Sequence, residues 1–317
     1  MINILANDGI SQSGKDALDN AGFNISTITV AQEQLANHIQ SNDIAVLLVR
    51  SATTVRKDLI DRCPNLKIIG RGGVGMDNID VEYARSKGIN VINTPAASSS
   101  SVAELVFAHL YGGVRFLHES NRNMPLEGDS NFKKLKKAYA KGVELRGKTI
   151  GIVGFGRIGR ETAKIALGIG MKVLAYDKFL KEASITLNFS HEKSVEFNIK
   201  ISKFNYLLEN SDFISLHVPA QKEFIIDKKQ FELMKDGVGI INAARGGVLN
   251  EVELISALDS GKVSFAGLDT FENEPKPEIK LLMHPNISLT PHIGAATKEA
   301  QDRIGKELAD QISNILN

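Results

Sequence analysis

Three closely spaced glycines in the middle of the chain have the spacing of a turn that binds a dinucleotide. Gly154, Gly156 and Gly159 follow the apolar run Thr149–Val153, which predicts a buried strand, and precede helical apolar spacing over Arg157–Ile169. In such a strand–turn–helix unit the first glycine allows the tight turn and the second lets the backbone approach a pyrophosphate. The third lets the helix pack closely on the strand. The plainer interpretation is a glycine turn in an ordinary strand–helix unit that binds nothing.

The residues around the predicted helix complete the pattern of a nucleotide site. The helix begins at Arg157 and Ile158, and we expect its first N–H groups to face the phosphates because a helix N-terminus favours anions. A second strand, Lys172–Tyr176, leads to Asp177 at close to the spacing of about 20 residues at which a carboxylate meets the ribose hydroxyls. Its charge would repel a 2′-phosphate, which favours NAD over NADP.

Three further segments place a reactive side chain after a predicted strand. Arg245 follows the run Val238–Asn242, and a guanidinium there can hold a carboxylate by two parallel hydrogen bonds. An acidic loop with Glu272 and Glu274 follows another strand, and His292 lies between a strand and the last helix. Ligands of open α/β sheets bind beyond the carboxyl ends of the strands, so these residues are candidates for an active site. Taken singly, each has a plainer interpretation as a surface arginine, a solvated acid or a structural histidine.

Strands and helices alternate along the whole chain, which predicts an α/β protein. The predicted strands are Ile2–Ala6, Ile25–Val30, Ile44–Val49, Leu66–Gly70, Ile89–Ile92, Thr149–Val153, Lys172–Tyr176, Phe213–His217, Val238–Asn242, Phe265–Asp269 and Ile287–Leu289. A long helix is predicted over Ser99–His118 and a final one over Lys298–Leu316, while the polar, β-branched stretch Glu182–Phe204 predicts a peripheral insertion with short strands. We expect the final helix to return to the first lobe, which makes that lobe discontinuous, with a ligand cleft between two lobes.

Composition narrows the class of protein. The chain has 317 residues, 43% of them hydrophobic and 24% charged, and a net charge of +1, so it has room for two domains and no overall charge that would favour nucleic acid or an anionic membrane. No apolar run has the length of a membrane span, and the first residues predict a strand instead of a secretory leader. The single cysteine, Cys63, excludes an intrachain disulfide and is interpreted as a partly buried structural thiol. We expect a cytoplasmic protein with a small-molecule substrate and no metal, nucleic-acid or membrane partner.

A run of lysines between Phe132 and Lys141 is the strongest local concentration of charge. Phe132, Leu135 and Tyr139 fall on one helical face with lysines around them, which predicts a solvated surface helix. The alternative is a cationic patch that helps to attract an anionic substrate.

Taken in order, these segments resemble the D-isomer-specific 2-hydroxyacid dehydrogenases over nearly the whole chain. The resemblance rests on Val49–Thr53, Gly70–Asn78, Asn93–Pro95, Ser101–Glu104, the glycine turn, Ala244–Gly247, Glu272–Pro275 and Pro291–Ala300. It implies a two-lobed α/β fold in which a central Rossmann dinucleotide-binding domain, residues 98–286, is inserted in a discontinuous flavodoxin-like substrate domain, residues 1–97 and 287–317. It also implies NAD as cofactor and a homodimer formed through the cofactor domain, with the Ser99–His118 helix as a candidate contact.

The resemblance assigns a role to each candidate residue. His292 would take the hydroxyl proton as hydride leaves C2 of the substrate for the nicotinamide, because imidazole exchanges protons near neutral pH. Glu274 would pair with His292, Arg245 would bind the substrate carboxylate and polarise the C2 oxygen, and Asp269 would orient the nicotinamide amide. The other implied cofactor contacts are His217, Pro219, Ala243, Arg245, His292 and Gly294.

Substrate choice is expected to depend on the first lobe. In the phosphoglycerate-oxidising members of the family, arginines in the segments of Arg50 and Arg71 face the phosphate, and two guanidiniums suit a phosphate dianion. The backbone N–H groups of Gly73, Val74 and Gly75 would hold the carboxylate. The expected reaction is the NAD-dependent oxidation of D-3-phosphoglycerate to 3-phosphohydroxypyruvate, the first step of serine biosynthesis.

Two alternatives remain open. If the two arginines only cap strand ends or pair with acids, another activity of the family fits, such as that of a hydroxypyruvate or glyoxylate reductase. An NAD-sensing binding protein, like the corepressors that share the fold and keep the Arg-Glu-His set, also fits. The chain departs from the family at Ser98, where asparagine is usual. We also expect it to lack the C-terminal domain through which longer members bind serine.

Overall fold

The computed structural model describes residues 1–190 and 192–316; His191, in the predicted insertion, and Asn317, at the end of the predicted substrate domain, lie outside the described residues. The chain forms two compact units, Met1–Ser101 with Ala295–Asn317, and Val102–Gly294. The strands are β1 Asn3–Ala6, β2 Asn24–Ser26, β3 Ile44–Val49, β4 Ile68–Arg71, β5 Asn90–Asn93, β6 Thr149–Val153, β7 Lys172–Tyr176, β8 Glu182–Asn188, β9 Ser194–Lys200, β10 Phe213–Leu216, β11 Val238–Asn242, β12 Val263–Leu268 and β13 Ile287–Leu289. The helices are α1 Gln12–Asn20, α2 Gln32–Ser41, α3 Lys57–Arg62, α4 Val81–Ser86, α5 Ser99–Val114, α6 Leu117–Glu127, α7 Phe132–Ala138, α8 Arg157–Gly168, α9 Phe204–Asn210, α10 Lys228–Leu233, α11 Glu251–Asp259, α12 Ile279–Leu282 and α13 Lys298–Leu316.

The smaller unit is built on a parallel sheet with the strand order β2-β1-β3-β4-β5, which is the order of flavodoxin. Its central strands are buried on both faces, which explains why β3 reads as a continuous apolar run. The last helix, α13, packs against α1 so closely that a Cβ on Gly14 would lie 2.6 Å from the Cα of Gly305. Ser13 Oγ also donates to Asp302 Oδ1 at 2.9 Å. The C-terminal helix therefore belongs to the first lobe, and the predicted discontinuous flavodoxin-like domain is confirmed.

The larger unit contains a six-stranded parallel sheet with the order β13-β12-β11-β10-β6-β7. After β6 the chain adds β7 on one side of the sheet and then β10 to β13 on the other side. The strand order therefore reverses between β6 and β10, and this is the topological switch point at which such folds bind nucleotides. The predicted insertion forms an antiparallel hairpin of β8 and β9, whose inner side buries Ile185 and Leu187. A single bridge joins Ala175 of β7 to Ile201, just after the hairpin, at the edge of the sheet.

The structure corrects three predicted boundaries. The helix predicted over Ser99–His118 ends at Val114, because Phe116 adopts a left-handed conformation with a φ of 54° and a new helix begins after it. The strand predicted over Ile25–Val30 is shorter and ends at Ser26. The predicted domain boundary after residue 286 also lies too early: β13 pairs with β12 through Leu268 and Leu289, so the strand belongs to the larger unit.

Two surface and core predictions can be compared directly with the structure. Cys63 is buried, and burial raises the pKa of its thiol, which keeps it protonated and inert. In the lysine run, Leu135 is buried under α7 while the lysines are exposed, as expected of a surface helix. Phe132, on the same predicted face as Leu135, is 57% exposed. None of the described helices is long and apolar enough to cross a membrane.

Candidate active site

The three glycines of the turn between β6 and α8 differ in what a side chain would meet at each position. Gly154 has a φ of 94°, which side chains rarely adopt. A Cβ on Gly159 would lie 2.2 Å from the carbonyl oxygen of Gly154, so α8 packs on the turn as closely as only glycine allows. A Cβ on Gly156 would meet no atom within 4 Å, and no side chain caps α8 there. The N–H groups that open the helix, at Arg157 and Ile158, are therefore open to the approach of a pyrophosphate.

Asp177 is held beside the glycine turn by two backbone groups. Its Oδ2 accepts from the N–H of Phe155, inside the turn, and its Oδ1 accepts from the N–H of Phe179, both at 2.9 Å. Because β7 is paired with β6, these bonds place the carboxylate at the carboxyl end of the strand next to the turn. This is where a carboxylate meets the ribose of a bound dinucleotide.

His217 places a neutral imidazole next to the same turn. Its Nε2 lies 2.9 Å from Ser215 Oγ, and its buried Nδ1 has no hydrogen-bond partner among the described residues. Burial lowers the pKa of His217 to about 3, so the ring is uncharged at physiological pH. The carbonyl oxygen of His217 would contact a Cβ on Gly154 at 2.6 Å, and Pro219 is exposed two residues further on. A buried ring nitrogen without a partner at this position suits a bound ligand.

The turn after β11 is folded by the side chain of Asn242. Its Oδ1 accepts from the N–H of Ala244 at 3.1 Å, and its Nδ2 donates to the carbonyl of Arg245 at 2.9 Å. Arg245 Nη1 in turn donates to the carbonyl of Ala244 at 2.6 Å. A Cβ on Gly246 would lie 1.9 Å from the carbonyl oxygen of Phe271, so the turn packs directly against the acidic loop that follows β12. The position of Arg245 thus depends on the backbone of both loops.

The acidic loop presents Glu274 to His292. Glu274 Oε1 accepts from the N–H of Phe271 at 3.0 Å, and Oε2 lies 2.8 Å from Nδ1 of His292. Burial alone would raise the pKa of Glu274, but the hydrogen bonds from His292 and Phe271 and the charges of His292 and Arg245 together lower it. Glu274 is therefore ionised near neutral pH and accepts the Nδ1 proton, which leaves the lone pair of the neutral imidazole on Nε2. Nε2 has no hydrogen-bond partner among the described residues.

His292 itself is held in an uncommon backbone conformation, with a φ of 54°. The buried carboxylate of Asp269 secures the two residues that follow it. Asp269 Oδ1 accepts from the N–H of Ile293 and Oδ2 from the N–H of Gly294, both at 2.8 Å. Thr290 Oγ1 also donates to Oδ1 at 2.6 Å. The predicted role of Asp269 toward a nicotinamide stays a prediction, and the structure adds that Asp269 supports the His292 loop.

The three predicted catalytic residues come from neighbouring strands. Arg245 follows β11, Glu274 follows β12 and His292 follows β13, and these strands are adjacent in the order β13-β12-β11. Parallel strands end at the same edge of a sheet, which is why residues far apart in sequence meet here. Ala243 and Gly294, two of the other predicted cofactor residues, are buried in the same two loops as Arg245 and His292.

In the smaller unit, Arg50 and Arg71 lie at neighbouring strand ends, since Val49 pairs with Arg71. The Arg50 loop is fastened by Asp8, whose Oδ2 accepts from the N–H of Arg50 at 2.6 Å and from that of Thr53 at 3.1 Å. Asn78 secures the other side, because its Nδ2 donates to the carbonyls of Arg50 and Thr53 at 2.8 and 2.6 Å.

The glycine-rich loop after β4 is shaped around the Arg71 side chain. A Cβ on Gly73 would lie 1.6 Å from Arg71 Nη1, so the guanidinium occupies the space that a side chain would need. The N–H of Gly73 donates to the carbonyl of Arg71 at 2.9 Å. Of the three N–H groups predicted to hold a carboxylate, that of Gly73 is therefore already engaged, which leaves Val74 and Gly75.

The geometry can be compared with known proteins. Residues 107–294 match the model of the D-isomer specific 2-hydroxyacid dehydrogenase, NAD binding domain. The chain belongs to the D-isomer-specific 2-hydroxyacid dehydrogenase family. A hydroxypyruvate reductase of Thermotoga maritima is 45% identical over 275 residues, which cover 85% of this chain and 84% of that relative. A D-3-phosphoglycerate dehydrogenase of Archaeoglobus fulgidus is 40% identical over 316 residues, 98% of this chain but 57% of the relative, so the chain spans little more than half of that protein.

Solved structures of the family have the same fold. The crystal structure of a glyoxylate reductase from Paecilomyes thermophila covers 98% of this chain, with a TM-score of 0.81 and 28% sequence identity, and 94% of that structure is matched. The larger unit is thus the NAD-binding domain of this family. Three features fit that cofactor. The space at Gly156 suits the pyrophosphate, and the carboxylate of Asp177, held by the N–H of Phe155, suits the ribose. The buried Nδ1 of His217, which has no partner among the described residues, suits a contact in the cofactor cleft.

Several supporting residues were missed by sequence reasoning. Asp8 lies just after strand β1, and Asn242 is the last residue of β11. A position at a strand end identified the arginines as candidates, and the same signal could have identified these two residues. His109 is a polar residue on the apolar face of a predicted helix, which is a recognisable signal. The reciprocal contact of Glu251 and Glu272 had no sequence signal because it joins the start of a helix to a loop 21 residues away in sequence.

Glu251 and Glu272 exchange hydrogen bonds between their side chains and each other's backbone. The N–H of Glu251 donates to Glu272 Oε1, and the N–H of Glu272 donates to Glu251 Oε1, both at 2.8 Å. Glu251 is only 7% exposed. Burial is the main cause that raises its pKa to about 7, and the charge of Glu272 adds to it. The pair connects the start of α11 to the loop that carries Glu274.

Glu251→Gln is expected to remove a decline of stability with pH. The folded protein keeps a proton on Glu251 between pH 4.5, the ordinary value, and about 7, while the unfolded chain has lost it. Stability therefore falls as pH rises through this window, by roughly 3 kcal/mol at most. Thermal unfolding should show Glu251→Gln more stable than wild type at pH 8 and little changed at pH 5. Glu253→Gln, in the same turn of α11, is the control; an equal gain there would contradict the assignment.

Proposed function

We propose that this protein oxidises D-3-phosphoglycerate with NAD, as a D-2-hydroxyacid dehydrogenase. The observation that carries the proposal is the pairing of His292 with an ionised Glu274 in an NAD-binding domain, 2.8 Å apart, with Nε2 left open. The Archaeoglobus D-3-phosphoglycerate dehydrogenase, similar over 98% of this chain, supports the same substrate. Serine biosynthesis would be the metabolic context, and the single buried thiol suits a cytoplasmic enzyme.

The protein's own groups would divide the reaction between them. NAD, when bound, accepts the hydride that leaves C2. Nε2 of His292 takes the proton of the C2 hydroxyl as the carbonyl forms, and the resulting imidazolium is stabilised by Glu274 through Nδ1–H. In the reverse direction the imidazolium returns the proton to the carbonyl oxygen. Arg245 would hold the substrate carboxylate by two parallel hydrogen bonds and orient C2.

Substrate choice would lie with the smaller unit. Arg50 and Arg71 end neighbouring strands, and the loop of Arg50 is fixed by Asp8 and Asn78. Two guanidiniums on fixed backbone suit the dianionic phosphate of 3-phosphoglycerate, whereas an unphosphorylated hydroxy acid has no group that needs them.

Arg71→Ala tests the phosphate assignment. We expect the KM for 3-phosphohydroxypyruvate to rise by about 10²-fold, because a charged hydrogen bond to the phosphate is lost. The loss with hydroxypyruvate should be much smaller, since it is limited to the support that the Arg71 side chain gives the Gly73 loop. Arg71→Lys keeps the charge without the planar fork and should fall between the two proteins. Steady-state NADH oxidation with both substrates measures this, and equal losses for both would refute a phosphate role.

A second candidate function has an observation of its own. The hydroxypyruvate reductase of Thermotoga maritima is 45% identical and is covered over 84% of its length. If hydroxypyruvate is the better substrate of the wild-type protein, the reductase activity replaces the oxidation of 3-phosphoglycerate as the proposed function, with the same roles for His292, Glu274 and Arg245.

We also propose that the protein acts as a homodimer through α5, α6 and α7. Large apolar side chains on these helices are exposed, namely Tyr111 at 45%, Leu117 at 62%, Leu126 at 81% and Phe132 at 57%. Apolar patches of this kind are common at interfaces between subunits. Sedimentation equilibrium would contradict the proposal if the protein has the mass of one chain at micromolar concentration.

A further inference from the structure

A buried histidine connects α5 to the loop of His292. His109 is 3% exposed on a helix face that otherwise buries Val106 and Leu110. Its Nδ1 lies 2.9 Å from Ser288 Oγ, on β13, and its Nε2 lies 3.0 Å from Thr290 Oγ1, just after that strand. An apolar residue would pack here without the need to satisfy two ring nitrogens, so the histidine calls for an explanation beyond packing.

The hydrogen-bond partners of His109 determine which ring nitrogen carries the proton. A threonine hydroxyl has one proton, and that of Thr290 goes to Asp269 Oδ1 at 2.6 Å. Thr290 Oγ1 must therefore accept from His109, so the proton of the neutral ring is on Nε2. Nδ1 then has a lone pair and accepts from the Ser288 hydroxyl.

The chain of hydrogen bonds ends on the strained backbone next to His292. Asp269 accepts from the N–H groups of Ile293 and Gly294 at 2.8 Å, and these residues directly follow His292 with its φ of 54°. A residue other than glycine in this conformation persists only where its surroundings hold it, at a cost of about 1–3 kcal/mol. Hydrogen bonds in such a directional chain strengthen one another.

We propose that His109 is a positioning residue that, through Thr290 and Asp269, holds the His292 loop in its catalytic conformation. The ring acts as a neutral Nε2–H donor and touches neither substrate nor cofactor. Burial lowers the pKa of His109, against the opposing effect of Asp269, while His118 acts in the same direction as burial. The proposal rests on the catalytic role proposed for His292.

The tautomer can be measured without any turnover. Nitrogen-15 NMR of histidine-labelled protein, assigned with His109→Gln, is expected to show a ring protonated on Nε2 only, with shifts unchanged between pH 7 and 8. A ring protonated on Nδ1, or one that titrates in this range, would overturn the proposal. Because this experiment needs no substrate, it tests the hydrogen-bond chain of His109 even if the protein proves to have no dehydrogenase activity, an outcome that would refute the proposed function.

Kinetics of three single variants and one double variant separate positioning from packing. His109→Leu removes the donor and should lower kcat about tenfold, because His292 is then misplaced for proton transfer. The KM for NADH should change little, since NADH binds before that step. His109→Gln can donate to Thr290 and accept from Ser288, and it should recover most of kcat. Thr290→Val should match His109→Leu, and the double variant should lose no more than either, because both break one chain.

Leu110→Ala is the control for packing. It creates a cavity on the same buried face of α5 without touching the hydrogen bonds, so it should lower the unfolding temperature and keep kcat. The proposal is wrong if Leu110→Ala lowers kcat as much as His109→Leu does, or if His109→Gln recovers no activity. If His109→Leu does not fold, Thr290→Val and the tautomer measurement carry the test.

Discussion

His292→Asn is expected to lower kcat by about 10³-fold while NADH binding stays within about twofold of wild type. The loss follows from removing the group that takes the hydroxyl proton, and acid–base catalysis by one side chain typically contributes about 10²–10⁴-fold. Asparagine is the appropriate replacement because His292 has a φ of 54°, and asparagine tolerates this left-handed conformation better than other residues with a side chain. Stopped-flow turnover and NADH fluorescence titration measure the two quantities separately.

Glu274→Gln provides the matched control for this prediction. Glutamine keeps an oxygen near Nδ1 of His292, now 2.8 Å from the carboxylate, but removes the charge that stabilises imidazolium. We expect a smaller loss of kcat than in His292→Asn, with the pH–rate profile for reduction displaced to lower pH. Turnover of His292→Asn near the wild-type rate would refute the acid–base role.

Arg245→Ala is expected to lower kcat/KM by about 10²–10³-fold for phosphorylated and unphosphorylated substrates alike. Both substrates carry the carboxylate that Arg245 is proposed to hold, and truncating a charged partner in such a contact costs about 2–5 kcal/mol. This equal loss distinguishes Arg245 from Arg71, whose removal should discriminate between the substrates. Steady-state kinetics with 3-phosphohydroxypyruvate and hydroxypyruvate measure both.

The charge of Arg245 also acts on Glu274, which adds a pH effect to the Arg245 prediction. Its charge helps to lower the pKa of Glu274, so Arg245→Ala should also move the acid limb of the pH–rate profile to higher pH. Arg245→Lys keeps the charge but cannot form two parallel hydrogen bonds, so it should restore the pH profile more than kcat/KM. A variant that loses activity only toward the phosphorylated substrate would show that Arg245 holds the phosphate instead.

Much of the site could be predicted because its signals are local in sequence. The glycine turn, the strand before it and Asp177 lie within one strand–helix–strand unit, where spacing alone sets the geometry. The same is true of Arg245 and His292, since each lies three residues after the end of a strand and so must lie near the sheet edge. Helix ends were harder: Gly112 and Gly113 lie in the last turn of α5, but the left-handed residue that separates α5 from α6 is Phe116, which is not a glycine.

The sequence by itself determined the family, the alternation of strands and helices and the nucleotide turn, and it predicted candidate residues for the chemistry. Only the tertiary structure decided how these residues are held. The pairing of His109 with Thr290 joins residues 181 positions apart, and it depends on which face of α5 meets β13. Likewise, the pairing of β13 with β12 places His292 in the larger unit, and the Arg71 side chain decides the shape of the loop at Gly73. Such contacts arise from packing between distant elements, which no local spacing encodes.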